Sequence, residues 1–366
     1  MTGDVTQKAP HIRLDSLTGL RWWAAFAVFF YHFRNVGGFP GVNLALVGYT
    51  GVAFFFVLSG FVLTWSARPE TTARQFWARR FARIWPAHFV ALLVAIPVFY
   101  RFTPSPEYWW QKPWAVLPVV LSVVLLHGWS NSAQFLFAGN PASWTLACEA
   151  FFYGVHPAVN AALARVRSWG LPVVAVAATV IGTAMAVSGI AWPQPVARCW
   201  EFILGMTAAL AIKRGVRVRL PMFVVYFTAA GIAVAYWALY AAGYAPTIAQ
   251  RLPSEVWAIV LPVIYTAAIM VAATADIDGR RSLMRHRLMV IGGEWSYCFY
   301  LVHATVLYAA AEIMGTRSFG IVGFAAIFLA SLLAAGLLHT VVEKPCERRI
   351  RRWADRTFGR KTPARA

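Results

Sequence analysis

The sequence predicts an all-α, polytopic integral membrane protein of about ten transmembrane helices with one additional non-crossing element. Composition is the first observation: of 366 residues, 60% are hydrophobic and only 13% charged, against about 45–50% and about 25% in a soluble domain. The 17 Trp and 26 Phe would overload a water-soluble core, whereas a bilayer accepts aromatic surface and favours Trp at its edges. Arrangement is the second, because the apolar residues form long runs with the positive charge gathered between them.

Runs able to cross about 30 Å of hydrocarbon at about 1.5 Å per residue lie near residues 17–33, 44–66, 83–100, 144–163, 171–191, 196–212, 221–242, 256–274, 288–313 and 319–342. The first is read as a retained helix and not a cleaved leader: Arg21 and a basic N-terminus precede it, and no small-x-small cleavage site follows before His32 and Arg34. An eleventh run, 115–129, is shorter. Each crossing must be helical, since lipid leaves no unpaired backbone group tolerable and no alternating barrel pattern is visible.

The formal net charge is +19, and four segments hold +17 of it: 67–83, 213–219, 275–287 and 344–366. In a soluble chain this excess would suggest nucleic acid; here short basic segments between apolar runs mark cytoplasmic loops, and no nucleic-acid partner is expected. If 67–83, 213–219 and the Arg165/Arg167 loop share a side, an even number of crossings must separate them. The Pro- and Trp-rich stretch 101–143 is therefore assigned to a non-crossing hairpin on the outer side, which leaves ten crossings and both termini in the cytoplasm. One transmembrane domain, 1–343, is followed by a basic cytoplasmic tail, 344–366. Cys148, Cys199, Cys298 and Cys346 show neither a CxxC pair nor metal-ligand spacing, so no disulfide framework and no metal are expected.

Ionisable residues within membrane helices are expensive and read as functional by default. Here they are Arg21, His32, Glu149, Arg198, Glu201, His303 and Glu343. Arg21 and His32 are eleven residues apart, which returns to within about 20° of one face and roughly 16 Å along the axis. His32 is either a hydrogen-bonded core histidine or a buried general base, the latter favoured by its ordinary pKa near working pH. Counting from the helix ends brings Glu149 and His303 to the depth of His32, where a carboxylate can orient an imidazole that deprotonates a hydroxyl. Arg198 and Glu201 add an ion pair to the outer half. Ser59 reads as a small residue for close helix packing. Arg79, Arg80 and Arg83 at the cytoplasmic mouth of the third run either flank the membrane or bind phosphate oxygens bidentately. No GxSxG elbow, HExxH or Walker loop occurs.

These residues also carry a family resemblance. Leu14 to Arg21 followed by ten residues and His32 resembles the R-x10-H motif of the membrane-bound acyltransferase 3 family, the bacterial O-acyltransferases of glycans and antibiotics. Gly51 to Gly60 is similar to the family's Phe-rich Ser-Gly signature. Arg79 to Pro86, Ser143 to Tyr153, Arg198 to Gly205, Tyr297 to His303 and Glu343 to Pro345 are similar to later blocks, in order along nearly the whole chain. The resemblance implies a ten-helix domain in the bacterial cell membrane that passes an acyl group from cytoplasmic acyl-CoA, as co-substrate, to a hydroxyl of a sugar-containing acceptor. No permanently bound cofactor is implied; acetyl-CoA is the expected donor. The acceptor is a hydroxylated glycan or a glycosylated small molecule such as a macrolide.

On that reading His32, Arg21 and Glu149 form the catalytic set. Arg79, Arg80 and Arg83 hold the CoA phosphates, and Trp144, Tyr153, Arg198, Glu201 and His303 meet the acceptor. Some relatives carry an extra esterase-like domain, and this chain ends instead in a basic tail. The competing class is a proton-coupled exporter, which would also place His and Glu at mid-depth; no inverted repeat or paired broken helices support it.

Overall fold

The computed structural model describes residues 12–39, 41–242 and 254–359. The chain is helical almost throughout: α1 (Asp15–Phe33), α2 (Gly51–Ser66, entered through a 3-10 helix, Val42–Thr50), α3 (Ala73–Phe99), short α4 (Val116–Val123) and α5 (Ala133–Leu136), α6 (Trp144–Arg165), α7 (Gly170–Val187), α8 (Gln194–Ala197), α9 (Cys199–Lys213), α10 (Met222–Ala241), α11 (Ser254–Ile277), α12 (Arg287–Met314), α13 (Ile321–Leu338) and α14 (Lys344–Phe358). The two strands of the described residues, β1 (Tyr100–Arg101) and β2 (Lys112–Pro113), pair in parallel where the stretch 101–143 begins.

Seven helical stretches among the described residues are long and apolar enough to cross a bilayer, and Met222–Ala238 is a shorter apolar helix. The protein is thus a multi-pass membrane protein. The expectation of ten crossings is met by length and apolarity at these seven. α1 and α6 fall outside them because Arg21 and His32 in one, and Glu149, His156 and Asn160 in the other, lower their mean hydropathy. Three of these residues, Arg21, His32 and Glu149, line the two candidate-site cavities.

The basic segments converge on one end of the bundle. Lys213 Nζ donates to Thr64 O at 2.8 Å, capping the last turn of α2. Arg214 reaches Val166 O after α6, and Arg219 pairs with Asp278 after α11. Asp276 accepts from both the backbone N and the hydroxyl of Ser16, satisfying an otherwise orphaned donor at the start of α1. Loops 67–83, 213–219 and 275–287 therefore share a side, as the parity argument requires. Residues 1–11 and 360–366, on which the location of the termini also depends, lie outside the described residues.

The run 115–129 holds no helix long enough to span a bilayer. Its helix, α4, ends after eight residues in a Schellman motif in which Leu126 N bonds Leu121 O and Leu125 N bonds Ser122 O. The motif needs a left-handed residue, and Leu125 supplies it at φ 59° against a cost of about 1–2 kcal/mol for a residue with a Cβ. Where the sequence offers glycine for the same motif, as at Gly315 after α12, φ is 58° without that cost. The hairpin returns through Asn140, whose side chain donates to Leu301 O at 2.6 Å and accepts from Ala142 N, so α6 begins inside the bundle at Trp144.

α2 and α9 pack closest where each offers a glycine. A Cβ on Gly205 would meet Val57 O, and one on Gly60 would meet Phe202 O, so the helices touch backbone to backbone, as small residues permit in membranes. The packing expected of Ser59 belongs to its neighbour Gly60.

The tail is more ordered than a free basic segment. After a π-helical turn, His339–Glu343, the chain continues directly into α14. Asp355 receives Gln75 Nε2 at 3.0 Å and Arg79 Nε at 2.7 Å from α3. Burial would raise this carboxyl, but those two bonds and the Arg79 charge hold it below its ordinary value.

Candidate active site in two cavities

Two cavities lie along the bundle interior. The inner one, about 130 Å³, opens among Arg21, Arg80, Arg83, Ser59, Glu149, Tyr153 and Tyr297. The outer one, about 880 Å³, is lined by His32, Asn35, Lys112, Trp144, Arg198 and an arc of rings from Tyr31, Tyr49, Trp109, Trp110 and Tyr308.

In the outer cavity His32 of α1 stands against His303 of α12, which is fully buried. His32 Nδ1 lies 2.9 Å from Val28 O and 3.4 Å from His303 Nε2. A carbonyl only accepts, so His32 Nδ1 carries the proton. By the same argument His303 Nδ1, 2.6 Å from Tyr300 O, carries its proton and leaves Nε2 as an acceptor toward His32. The lone pair of His32 is then on Nε2, which no hydrogen bond among the described residues occupies. A half-buried imidazole with its tautomer set and its second nitrogen free in a cavity can act as a general base.

Arg198 and Glu201 form the expected ion pair at 2.9 Å, and Arg198 lines the outer cavity with Trp144. Lys112, which no motif or spacing singles out, donates through Nζ to Phe137 O at 2.6 Å and sits 5.8 Å above the Phe137 ring. Burial lowers its pKa to about 8, so this cation titrates just above neutrality.

Glu149 does not stand beside His32. It lines the inner cavity, where Ser59 Oγ donates to one of its oxygens at 3.0 Å and Tyr153 Oη to the other at 2.8 Å. Counting residues from the helix end misplaced it because α6 starts at Trp144, already inside the bundle. Glu149 is five residues further toward the basic end, about 7 Å along the axis. Its place beside His32 is taken by His303, and Ser59, read as packing, is instead a hydrogen-bond donor to Glu149. Tyr153, expected at the acceptor, is likewise an inner-cavity residue.

The three arginines of α3 separate as well. Arg79 does not line the inner cavity and is engaged by Asp355 at 2.7 Å. Arg83 lines it but is held by Glu343 and by Glu347 at 3.2 Å. Arg80 is in no ion pair among the described residues; its guanidinium lies 5.6 Å over the Phe76 ring and its Nε is buried without an acceptor. Arg21, from α1, also lines the cavity with no ion pair among the described residues. Two guanidiniums without a direct ion pair among the described residues thus line the cavity together with the Glu149 carboxylate, a set of groups able to hold an anionic or strongly polarised ligand.

Cys298, His339 and Glu343 come within metal-ligand reach of one another, contrary to the isolation expected of the cysteines. Glu343 already accepts from His339 Nδ1 at 2.7 Å and from Cys298 Sγ at 3.0 Å, and its other oxygen pairs with Arg83. The guanidinium thus supplies the positive charge that a metal ion would.

Comparison with known proteins agrees with this geometry. Residues 14–340 match an acyltransferase domain, that of the acyltransferase 3 family. The chain is 33% identical to the acyltransferase MdmB of Streptomyces mycarofaciens over 92% of each chain. It is 32% identical to the peptidoglycan O-acetyltransferase OatA of Listeria monocytogenes over 40% of this chain and 24% of that protein. The O-acetyltransferase OatA of Staphylococcus aureus is 28% identical over the same shares. No solved structure matches. With its Arg21 to His32 spacing, its helical membrane architecture and a matched region covering nearly all of it, the chain belongs to the acyltransferase 3 family.

Proposed function

We propose that this protein is an O-acyltransferase of the bacterial cell membrane that takes an acyl group, acetyl first among them, from cytoplasmic acyl-CoA. The acceptor is a hydroxyl of a glycan or a glycosylated small molecule on the other side. About ten helices cross the membrane with both termini cytoplasmic. The single observation that carries the reading is the pair of cavities: uncommitted arginines at the basic end, and a histidine with a free Nε2 in an aromatic-lined cavity beyond. Aromatic rings with a few polar groups suit sugar faces and hydroxyls.

Nucleotide phosphates stay outside the inner cavity, near Arg80, while the pantetheine arm enters past Arg21. The roughly 16 Å between Arg21 and His32 is about the length of that arm, so the donor need not cross. His32 Nε2 takes the proton of the acceptor hydroxyl as its oxygen attacks the thioester carbonyl. The C–O bond forms, the C–S bond breaks, and the proton returns through His32 to the departing sulfur, giving ester and CoA thiol. Val28 O and His303 hold the imidazole in the required tautomer; Glu149, bonded to Ser59 and Tyr153, organises the donor cavity. Family membership supports this reading over an exporter.

Purified protein in nanodiscs, incubated with radiolabelled acetyl-CoA and a panel of peptidoglycan fragments and glycosylated macrolides, tests it. Label should pass to one acceptor class, and His32→Ala should lower turnover by about 10²–10⁴-fold while folding normally. Turnover near the parent's in that variant removes His32 as base.

A further inference from the structure

The two cavities have separate linings that share two residues, Val52 of α2 and Tyr300 of α12. Anything moving from the arginines to His32 must pass them. Tyr300 is 8% exposed. Its hydroxyl lies 3.2 Å from Thr145 Oγ1 of α6, which also lines the inner cavity. Its ring stands 5.6 Å from the His303 ring and 6.1 Å from Phe55. Its carbonyl takes the His303 Nδ1 proton at 2.6 Å. One residue therefore divides the compartments and is bonded to the imidazole that backs His32.

We propose that Tyr300, together with Val52, is the specificity-determining partition of this enzyme: it sets the length of acyl group that reaches His32 and keeps water from the thioester. The proposal rests on the acyl-CoA reading of the site. The acyl group leads the pantetheine arm, so its methylenes must pass between Tyr300 and Val52 before the thioester carbon can reach His32 Nε2. An aromatic ring anchored at its far end by Thr145 leaves little room and rejects longer chains. The same anchored ring excludes water from the passage. Once the ring is loosened, a water oxygen can replace the acceptor oxygen, forming the acid as the C–S bond breaks and CoA leaves as the thiol.

The test is a chain-length series from acetyl- to hexanoyl-CoA on the parent, Tyr300→Ala, Tyr300→Phe and Val52→Phe, with thiol release followed with and without acceptor. Tyr300→Ala should raise the hexanoyl-to-acetyl ratio of kcat/KM by about tenfold or more, and Val52→Phe should lower the butyryl-to-acetyl ratio by about tenfold, the discrimination an apolar pocket gives per methylene. Tyr300→Phe, which keeps the ring but frees it from Thr145, should retain the parent's ratio and raise acceptor-independent thiol release. A general loss of structure would lower all chain lengths together and leave the ratios flat. If Tyr300→Ala does not fold, the Val52→Phe ratio and the Tyr300→Phe leak decide the matter. Unchanged ratios in an active Val52→Phe and an active Tyr300→Ala overturn the partition, whereas a folded parent that releases no thiol from any acyl-CoA in the presence of the peptidoglycan fragments and glycosylated macrolides of the panel above overturns the donor reading beneath it.

Discussion

His32 can offer Nε2 to a substrate because Val28 O and His303 occupy its Nδ1 side, and Arg21 and Arg80 can offer charge because neither is in a direct ion pair among the described residues, although Glu149 shares their cavity. The α3 arginines should accordingly separate in assay. Arg80→Ala should raise the apparent KM for acyl-CoA by about tenfold, the worth of one charge-assisted hydrogen bond, with Arg79→Ala close to the parent because its guanidinium serves Asp355. Equal effects in steady-state kinetics would return both to a common flank. Lys112 gives a pH prediction. Its pKa of about 8 removes a positive charge from the outer cavity as pH rises from about 7 to 9. Acceptors bearing a carboxylate should then lose kcat/KM over that interval, and Lys112→Gln should flatten that limb; an unaltered profile in the variant excludes Lys112 from acceptor binding. Of these residues, the Arg21–His32 stripe and the Arg198–Glu201 pair were legible in the sequence, because each depends only on spacing within one helix. Glu149 was misplaced, and Lys112 invisible, because each depends on how the 101–143 hairpin enters the bundle, which no single-helix periodicity encodes.

At the scale of elements, α14 is not a loose tail but a brace across the start of α3, joined to α13 by a π turn that brings His339 and Glu343 to Arg83 and Cys298. Glu343 is 1% exposed, so removing its cation should leave a buried charge uncompensated. Arg83→Met is expected to destabilise by about 3–5 kcal/mol, and adding Glu343→Gln to recover much of it, since deleting both charges is far less costly than deleting one. Unfolding midpoints of the two variants in the same detergent check this; additive losses would mean that the pair is not coupled. The Asp355 contacts behave differently with pH. A carboxyl held below its ordinary value gives its stabilisation above about pH 4 and loses it only as pH falls through the lowered pKa, so the brace stays docked across the working range. The brace was hidden in the sequence because its basic residues satisfy the rule for cytoplasmic loops whether or not they fold. Parity alone assigns the hairpin as non-crossing, and the Leu125 turn is the local device that ends its helix after eight residues.

Across the whole molecule, charge and chemistry divide the bundle lengthwise. Basic loops after α2, α9 and α11 meet at one end, Arg21 and Arg80 line the inner cavity at that end, and His32, backed by the buried His303, lines the larger cavity beyond Tyr300. Helix identity and this charge asymmetry were readable from composition and apolar runs, whereas two separate cavities with one shared wall are a property of packing. The arrangement makes a vectorial claim, that donor and acceptor are used from opposite faces. The measurement that tests it most directly is acyl transfer in proteoliposomes of known orientation, with acetyl-CoA supplied to one face at a time and acceptor to the other. Thiol release and acylated product are expected only when acetyl-CoA meets the face carrying loops 67–83 and 213–219 and the acceptor meets the opposite face. Equal turnover with acetyl-CoA on the His32 side alone would contradict it.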